Sequence, residues 1–363
     1  MPDPKNYTVG WISAISTEYV AARAFLDEPH DDPGYLPANK TDFTLGRIGK
    51  HNVVIAVLPD GEYGTASASR VAEGMMHSFP NIRIALMVGI GGGAPTSKHD
   101  IRLGDIVVSS PSGGQGGIFQ YDFGKTIQGR DFQETGVLNQ PPDLLRSAVA
   151  GLRARYESDG HQLEDAVNKA LERKPRLRKK YGRPEARSDR LYISDILHKE
   201  GEEQCSSCSD NASHIVERRP RTEDEDNPMI HYGLIASANQ LMKDALVRDE
   251  FAKQKNVLCF EMEAAGLMNH FPCLVIRGIC DYADSHKNKD WQGYAAMNAA
   301  AYAKDILYRI APQQVEDEAK VATVVSQGQG DQHTTNINFG SNNYGFQIGS
   351  NTGTINGTRF GGR

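Results

Sequence analysis

The chain has 363 residues, of which 39% are hydrophobic and 24% charged, and its formal net charge is -6. This balance predicts one large hydrophobic core with appendages and gives no support to a nucleic-acid-binding surface. The apolar runs are too short to span a membrane, the first residues lack the regions of a signal peptide, and five cysteines suit a reducing compartment. We therefore expect a cytoplasmic protein with neither a membrane nor a nucleic-acid partner.

The first predicted element is a strand that leads into a helix. Residues 7–12 are apolar and are followed by a turn over residues 13–17. The helix that begins there carries Glu18 in its opening turn, a position that favours acidic side chains.

The second predicted strand, residues 84–88, runs into a glycine-rich segment. We predict a loop in which Gly89, Gly91 and Gly92 let a ligand approach the backbone. Pro95 interrupts the segment and its spacing is GxGGG, which disfavours a dinucleotide-binding fold. No cofactor is predicted.

A long polar stretch, residues 111–228, separates two further strands predicted at residues 103–109 and 231–239. It contains a helical pattern at residues 143–156 and a basic run at residues 173–190. The basic run is interpreted either as a solvated helix face or as a source of cations for a substrate's phosphates. In the second interpretation Arg218, Arg219 and Arg221 contribute as well.

The same stretch holds a pair of cysteines, Cys205 and Cys208, with His198 and His214 nearby. Zinc sites need three or four such ligands. A single CxxC pair is too little to predict one, and surface thiols are the alternative. No metal is predicted.

Two short apolar runs near residues 257–260 and 273–276 each end in charged residues. Such runs are typical of strands in a parallel sheet that is covered on both faces, and ligands bind at the ends of these strands. The first is followed by Glu261 and Glu263, the second by Arg277 and Asp281. The pattern predicts a site that splits a glycosidic bond, with a structural ion pair between Glu263 and Arg277 as the alternative. A short helix is predicted between them.

Taken together, these motifs resemble the purine nucleoside phosphorylase and nucleosidase superfamily, in particular the branch like methylthioadenosine/S-adenosylhomocysteine nucleosidase. The resemblance covers residues 7–311. It implies an α/β fold, a three-layer α/β/α domain over residues 1–312 around a mixed, partly barrel-like sheet, with a polar insertion at about residues 111–228. It also implies a purine nucleoside or nucleotide substrate and a homo-oligomer in which neighbouring subunits complete the pocket.

The resemblance implies two catalytic carboxylates. Asp281 matches the acid that protonates the purine at N7, and Glu18 matches the carboxylate that activates water. The remaining matches bind substrate: Glu263, Met262 and Arg277 lie at the ribose, and Phe260, Ser237 and Asn239 line the base pocket. His286 and Lys287 either reach the 5′ side of the ribose or cap the alanine-rich helix predicted at residues 294–310.

Hydrolysis is favoured over phosphorolysis. Phosphorolytic relatives surround the anion with arginines, whereas Glu18 places a negative charge there and no arginine follows the glycine segment. Related proteins of the immune type attack ATP at the glycosidic bond, so ATP is one candidate substrate. The alternatives are phosphorolysis, or an inactive module for nucleoside binding or oligomerisation.

The C-terminal region has a different composition. A polar linker is predicted at residues 313–335, and from His333 onwards the chain has no acidic residue and no lysine. Asparagine, glutamine and glycine occupy every second position, a period of two that favours stacked strands. These positions are Asn343, Gly345, Gln347, Gly349 and Asn351.

This alternation resembles the amyloid motif of fungal NLR-type signalling, which is related to the RHIM. It implies a disordered, amyloid-prone tail over residues 336–363, through which an NLR-type receptor or a second copy templates assembly. The enzyme would then be an effector of immunity or cell death, and an inert flexible tail is the alternative.

Overall fold

The computed structural model describes residues 3–31, 41–130, 132–198, 208, 211–222, 225, 227–287 and 289–324. The helices are α1 Ser16–Ala24, α2 Thr65–Ser78, α3 Asp143–Asp159, α4 Leu163–Arg173, α5 Arg178–Tyr181, α6 Ala245–Lys255, α7 Gln292–Arg309 and α8 Pro312–Asp317. The strands are β1 Val9–Ser13, β2 Glu28–Pro29, β3 Phe43–Ile48, β4 His51–Val57, β5 Ile84–Gly93, β6 Ile106–Ser109, β7 Ile118–Gln120, β8 Gly124–Lys125, β9 Gln133–Glu134, β10 Ile230–Ser237, β11 Val257–Glu261 and β12 Leu274–Asp281.

The main sheet is mixed and closes on itself at one end. Its strand order is β11-β10-β6-β12-β5-β1-β4-β3-β2, with β7 added beside β10. Strand β11 also pairs with the end of β5, through Cys259 with Gly93 and Phe260 with Gly92. Strands β11, β10, β6, β12 and β5 therefore form a closed ring, which confirms the predicted partly barrel-like sheet.

Side chains of the central strands alternate between two hydrophobic layers. On β5, Leu86 packs into the layer that contains α1, α3, α4 and α7, whereas Met87 packs into the layer that contains α2. Strand β1 divides in the same way between Trp11 and Ile12. Helices thus cover both faces, and the predicted three-layer α/β/α fold is confirmed.

The predicted strands and the helix that carries Glu18 are confirmed, but two local predictions were wrong. The glycine segment is not a loop, because β5 continues through it to Gly93 and pairs with β12 and β11. The segment after Glu263 is a single 3-10 turn, Ala264–Gly266, rather than a helix. Pairing across the closed ring holds the glycines extended, although their composition alone favours a turn.

The polar stretch at residues 111–228 is not separate from the core. Leu152 of α3 and Val167 of α4 belong to the same hydrophobic layer as α7. Among the described residues, no helix is long and apolar enough to cross a membrane. The end of the predicted linker and the whole predicted amyloid motif lie outside the described residues.

Candidate active site

A cavity of about 690 Å³ lies where β5, β11 and β12 meet the N-terminus of α1. Its wall combines four carboxylates with three lysines and a few apolar side chains. The charged residues are Glu18, Glu261, Glu263, Asp281, Lys243, Lys287 and Lys289. A partly apolar cavity with a few convergent charged groups is the usual form of a small-molecule site.

Arg277 organises three of these carboxylates from behind the cavity wall. Its guanidinium is completely buried and is paired most closely with Glu261. It lies 3.5 Å from a carboxylate oxygen of Glu263 and 3.8 Å from one of Glu18. Since three buried acids share one cation, the cluster carries an excess negative charge that disfavours ionisation of all three together.

Glu18 is fixed by the backbone at the start of α1. One carboxylate oxygen accepts hydrogen bonds from the N–H groups of Ala14 and Ile15, at 2.6 and 3.2 Å. The other accepts one from the N–H of Ile90 on β5, at 2.8 Å. Burial raises the pKa of Glu18, although Arg277 and these N–H donors oppose the shift. A raised pKa makes the carboxylate a stronger base towards water.

Glu263 lies two residues after the end of β11 and lines the same cavity. Its carboxylate accepts a hydrogen bond of 3.2 Å from the N–H of Gly64 at the start of α2. Burial raises the pKa of Glu263 to about 7, with Arg277 opposing and the charges of Glu261 and Glu18 adding to the shift. The carboxyl is therefore poised to hold or release a proton near neutral pH.

Asp281 ends β12 on the cavity wall. Its carboxylate accepts a hydrogen bond of 2.9 Å from the N–H of Ala283 and lies 3.0 Å from the Lys287 ammonium. The paired residue on β5 is Gly92, where a Cβ atom would lie 2.7 Å from the Asp281 carboxylate. Glycine at this position thus leaves room for the acid.

The structure brings Asp281, Glu18, Glu263, Met262 and Phe260 into the cavity wall. Three of the predicted substrate-binding residues do not line it, and neither does Gly89 of the glycine segment. Ser237 is buried and its hydroxyl accepts the N–H of Ala265, and the Asn239 side chain accepts two hydrogen bonds from Thr65. Arg277 contacts three carboxylates and does not itself line the cavity.

No role for Glu261 is predicted from the sequence, yet this residue binds Arg277 and accepts the N–H of Glu263 at 3.1 Å. The sequence signal for this role is the position of Glu261, which is the last residue of β11 and lies two residues before Glu263. Lys243 and Lys289 were also missed, because single lysines in polar loops carry no distinguishing pattern.

The arginines proposed from the sequence as phosphate ligands have other partners. Arg218 lies 3.1 Å from Asp189, Arg219 lies 2.6 Å from Glu225, and Arg221 lies 2.5 Å from the buried carboxylate of Asp105. None of the three lines the cavity. The hypothesis was wrong for these three arginines, because each pairs with a carboxylate that does not line the cavity.

Alanine at Gly89 should disrupt the site. A Cβ atom there would lie 2.3 Å from a Glu18 oxygen and 2.5 Å from an Arg277 nitrogen. Glu18 would have to give up its hydrogen bond with Ile90, so we expect turnover to be lost and stability to fall by about 1–3 kcal/mol. Gly136→Ala is the control, since its Cβ would meet only Phe123, at 3.3 Å. Equal activity of the two variants in a turnover assay would contradict this placement of Glu18.

The raised pKa of Glu263 should make stability depend on pH. Its pKa rises from 4.5 to about 7 on folding, so the folded state holds the proton more tightly than the unfolded chain. The resulting stabilisation is fully present below pH 4.5 and is lost as the pH rises through 7. Relative to Glu263→Gln, the free energy of unfolding should fall by about 3 kcal/mol across this window. Urea unfolding at several pH values measures the difference, and a constant difference would contradict the shift.

Comparison with known proteins supports the fold and reveals similarity to a domain of fungal death-pathway proteins and to an NLR-like protein. Residues 8–310 match a family model described as the phosphorylase superfamily. Residues 339–357 match a model described as the SesB domain on fungal death-pathway protein. A nucleotide-binding leucine-rich repeat (NLR)-like protein of Hyaloscypha variabilis is 46% identical over 327 residues. That match covers 90% of this chain, and the chain spans only 32% of that protein's length.

Solved structures share the fold at low sequence identity. The futalosine hydrolase of Helicobacter pylori is 14% identical, with a TM-score of 0.51, and the match covers 84% of this chain and 99% of that one. The 5′-methylthioadenosine/S-adenosylhomocysteine nucleosidase of Neisseria meningitidis is 16% identical, with a TM-score of 0.52 and the same coverage. These two likenesses concern the fold alone. The family match extends over residues 8–310, which is well over half of this chain. The chain therefore belongs to the phosphorylase superfamily.

Proposed function

We propose that residues 1–312 form an N-glycosidase that hydrolyses the bond between base and ribose in an adenine nucleoside or nucleotide. The observation that carries this proposal is the presence of Glu18, Glu263 and Asp281 in one cavity wall, with Arg277 behind the first two. A purely structural ion pair needs only one carboxylate for the arginine.

Each carboxylate has a distinct role in the proposed reaction. The bond breaks through an oxocarbenium-like transition state, so the base must leave as a neutral group while a nucleophile attacks the sugar. Protonated Asp281 donates to the departing purine. Glu18, with its raised pKa, takes a proton from the attacking water. Glu263 accepts hydrogen bonds from the ribose hydroxyls and fixes the sugar between them.

Water is favoured over phosphate as the nucleophile. Arg277 is the cation beside Glu18, and three carboxylates already surround it. A phosphate dianion placed there would meet an excess of negative charge in a buried site, where repulsion is weakly screened. The cluster thus favours hydrolysis over phosphorolysis.

The lysines in the cavity wall favour a nucleotide over an uncharged nucleoside. Lys243, Lys287 and Lys289 supply cations that suit a 5′ phosphate chain. Lys287 also contacts Asp281 at 3.0 Å. A phosphate bound by Lys287 would therefore lie close to the proposed acid.

The test is to incubate the full chain with adenosine, methylthioadenosine, AMP and ATP, each with and without inorganic phosphate. Chromatography follows free adenine, and mass spectrometry identifies the sugar product. Adenine released without phosphate, fastest from a nucleotide, supports the proposal. A sugar 1-phosphate formed only with phosphate would instead establish phosphorolysis. No release under any condition would favour an inactive binding or oligomerisation module.

The SesB match and the NLR-like relative support a signalling role for the tail. We propose that residues 336–363 assemble as an amyloid, templated by an NLR-type receptor or by a second copy, and so concentrate the enzyme. Deletion of residues 333–363 should abolish fibrils detected by thioflavin fluorescence, whereas turnover per soluble chain persists. A chain with the same tail composition in scrambled order is the control, and fibrils formed equally by both tails would contradict a sequence-specific motif.

A further inference from the structure

A second group of polar side chains lies beside the candidate active site, where residues 189–198 pack on the loop after β12. The Tyr192 ring stacks on the His286 ring with 3.8 Å between centroids. The backbone N–H of His198 donates to the Ser285 hydroxyl at 3.0 Å. Tyr282 donates a hydrogen bond to Asp189. These contacts fix the two segments against each other.

Three potential metal ligands converge at this junction. The side-chain donor atoms of His198, Cys208 and His286 all lie within 4.8 Å of one another. The distance from His198 Nδ1 to Cys208 Sγ is 3.3 Å. Ligands of a tetrahedral zinc ion, with bonds of about 2.1 Å to nitrogen and about 2.3 Å to sulfur, are separated by about 3.4–3.6 Å. The His198–Cys208 distance is already close to these values, and the other two, neither above 4.8 Å, would shorten to them on binding an ion.

We propose that His198, Cys208 and His286 bind a zinc ion. Two imidazoles and one thiol are ligands that zinc prefers, whereas calcium and magnesium require oxygen. Without a metal, a hydrogen bond between His198 and Cys208 would explain one of the short distances. It would not explain why the imidazole of His286, which is far along the chain, lies at the same point. Cys205 lies outside the described residues and is not needed for this argument.

The ion would tie the polar stretch to the active-site loop. His286 directly precedes Lys287, which contacts Asp281 at 3.0 Å. Cys208 and His198 belong to the polar stretch that the sequence sets apart from the catalytic motifs. A zinc ion bound by the three would hold Lys287 in its position on the cavity wall. The site stands on the donor geometry and does not depend on the proposed reaction.

The experiment is to measure zinc in the purified full chain by mass spectrometry after desalting. We expect about one zinc per chain, and at least a tenfold loss in Cys208→Ser and in His286→Ala. His214→Ala is the matched control, because this histidine lies in the same stretch and contacts Asn211 at 3.0 Å instead of the cluster. It should retain the metal. Circular dichroism verifies that each variant is folded.

Cobalt provides a readout on the unaltered chain, in case the variants fail to fold. Replacing zinc by Co²⁺ should produce the absorption of a tetrahedral ion together with a thiolate charge-transfer band. The proposal is overturned if the unaltered chain, after addition of one equivalent of zinc, retains none through desalting. It is also overturned if bound cobalt shows no thiolate band, or if folded Cys208→Ser keeps the metal.

Discussion

Replacing Asp281 by Asn is expected to reduce turnover by roughly 10²–10⁴-fold and leave the fold intact. The amide has the shape of the carboxyl group but cannot deliver a proton to the departing purine. Its oxygen can still accept the Ala283 N–H, which is 2.9 Å from the carboxylate in the structure. The lost ion pair with Lys287 is partly exposed, so the stability should change by less than about 1 kcal/mol.

The loss should appear in kcat, because the proton is transferred only in the transition state. Adenine release is measured over a range of substrate concentrations, and thermal unfolding of the same samples reports the fold. Asp143→Asn removes an exposed carboxylate of α3 and should match the unaltered chain. Persistent turnover in a folded Asp281→Asn protein would remove this residue from the acid role.

Replacing Arg277 by Met is expected to destabilise the fold by about 3–5 kcal/mol, a large part of the stability of a typical domain. The side chains of Arg277, Glu18, Glu261 and Glu263 are 1, 3, 1 and 7% exposed. Without the guanidinium, three buried carboxylates have no cation, and burial then drives them to take up protons. Arg277→Lys keeps the charge, but a single ammonium cannot contact Glu261, Glu263 and Glu18 as the two guanidinium nitrogens do, so an intermediate loss is expected.

Urea unfolding of the unaltered chain and the two variants gives the free energies. Arg183→Met is the control, since Arg183 pairs with Glu164 at 3.2 Å on a surface where the side chains are 36 and 43% exposed. That pair should contribute less than about 1 kcal/mol. If Arg277→Met unfolds at the same urea concentration as this control, the buried cluster does not hold the site together.

The sequence could predict the site residues at the ends of strands and in the first turn of α1. An apolar strand followed by a turn and a helix placed Glu18 in the first turn, and apolar runs placed Glu263 and Asp281 where strands finish. These signals are local, because a buried strand is recognised from a short run of consecutive apolar residues.

Contacts between distant segments were not predictable in the same way. The glycine segment continues as β5 because β11 and β12 pair with it, and neither strand is its neighbour in sequence. Arg277 is paired most closely with Glu261 rather than Glu263. The position of each carboxylate depends on the register of β11 and on the turn after it. His286 meets Cys208 only because the polar stretch folds back on the loop.

Hydrolysis is tested most directly by the release of adenine from ATP and AMP in phosphate-free buffer, with the unaltered chain and Glu18→Gln measured side by side. We expect many turnovers by the unaltered chain and a rate at least about 10²-fold lower for Glu18→Gln, because glutamine cannot accept the proton of the attacking water. No adenine from the unaltered chain, or equal rates from both proteins, would contradict it.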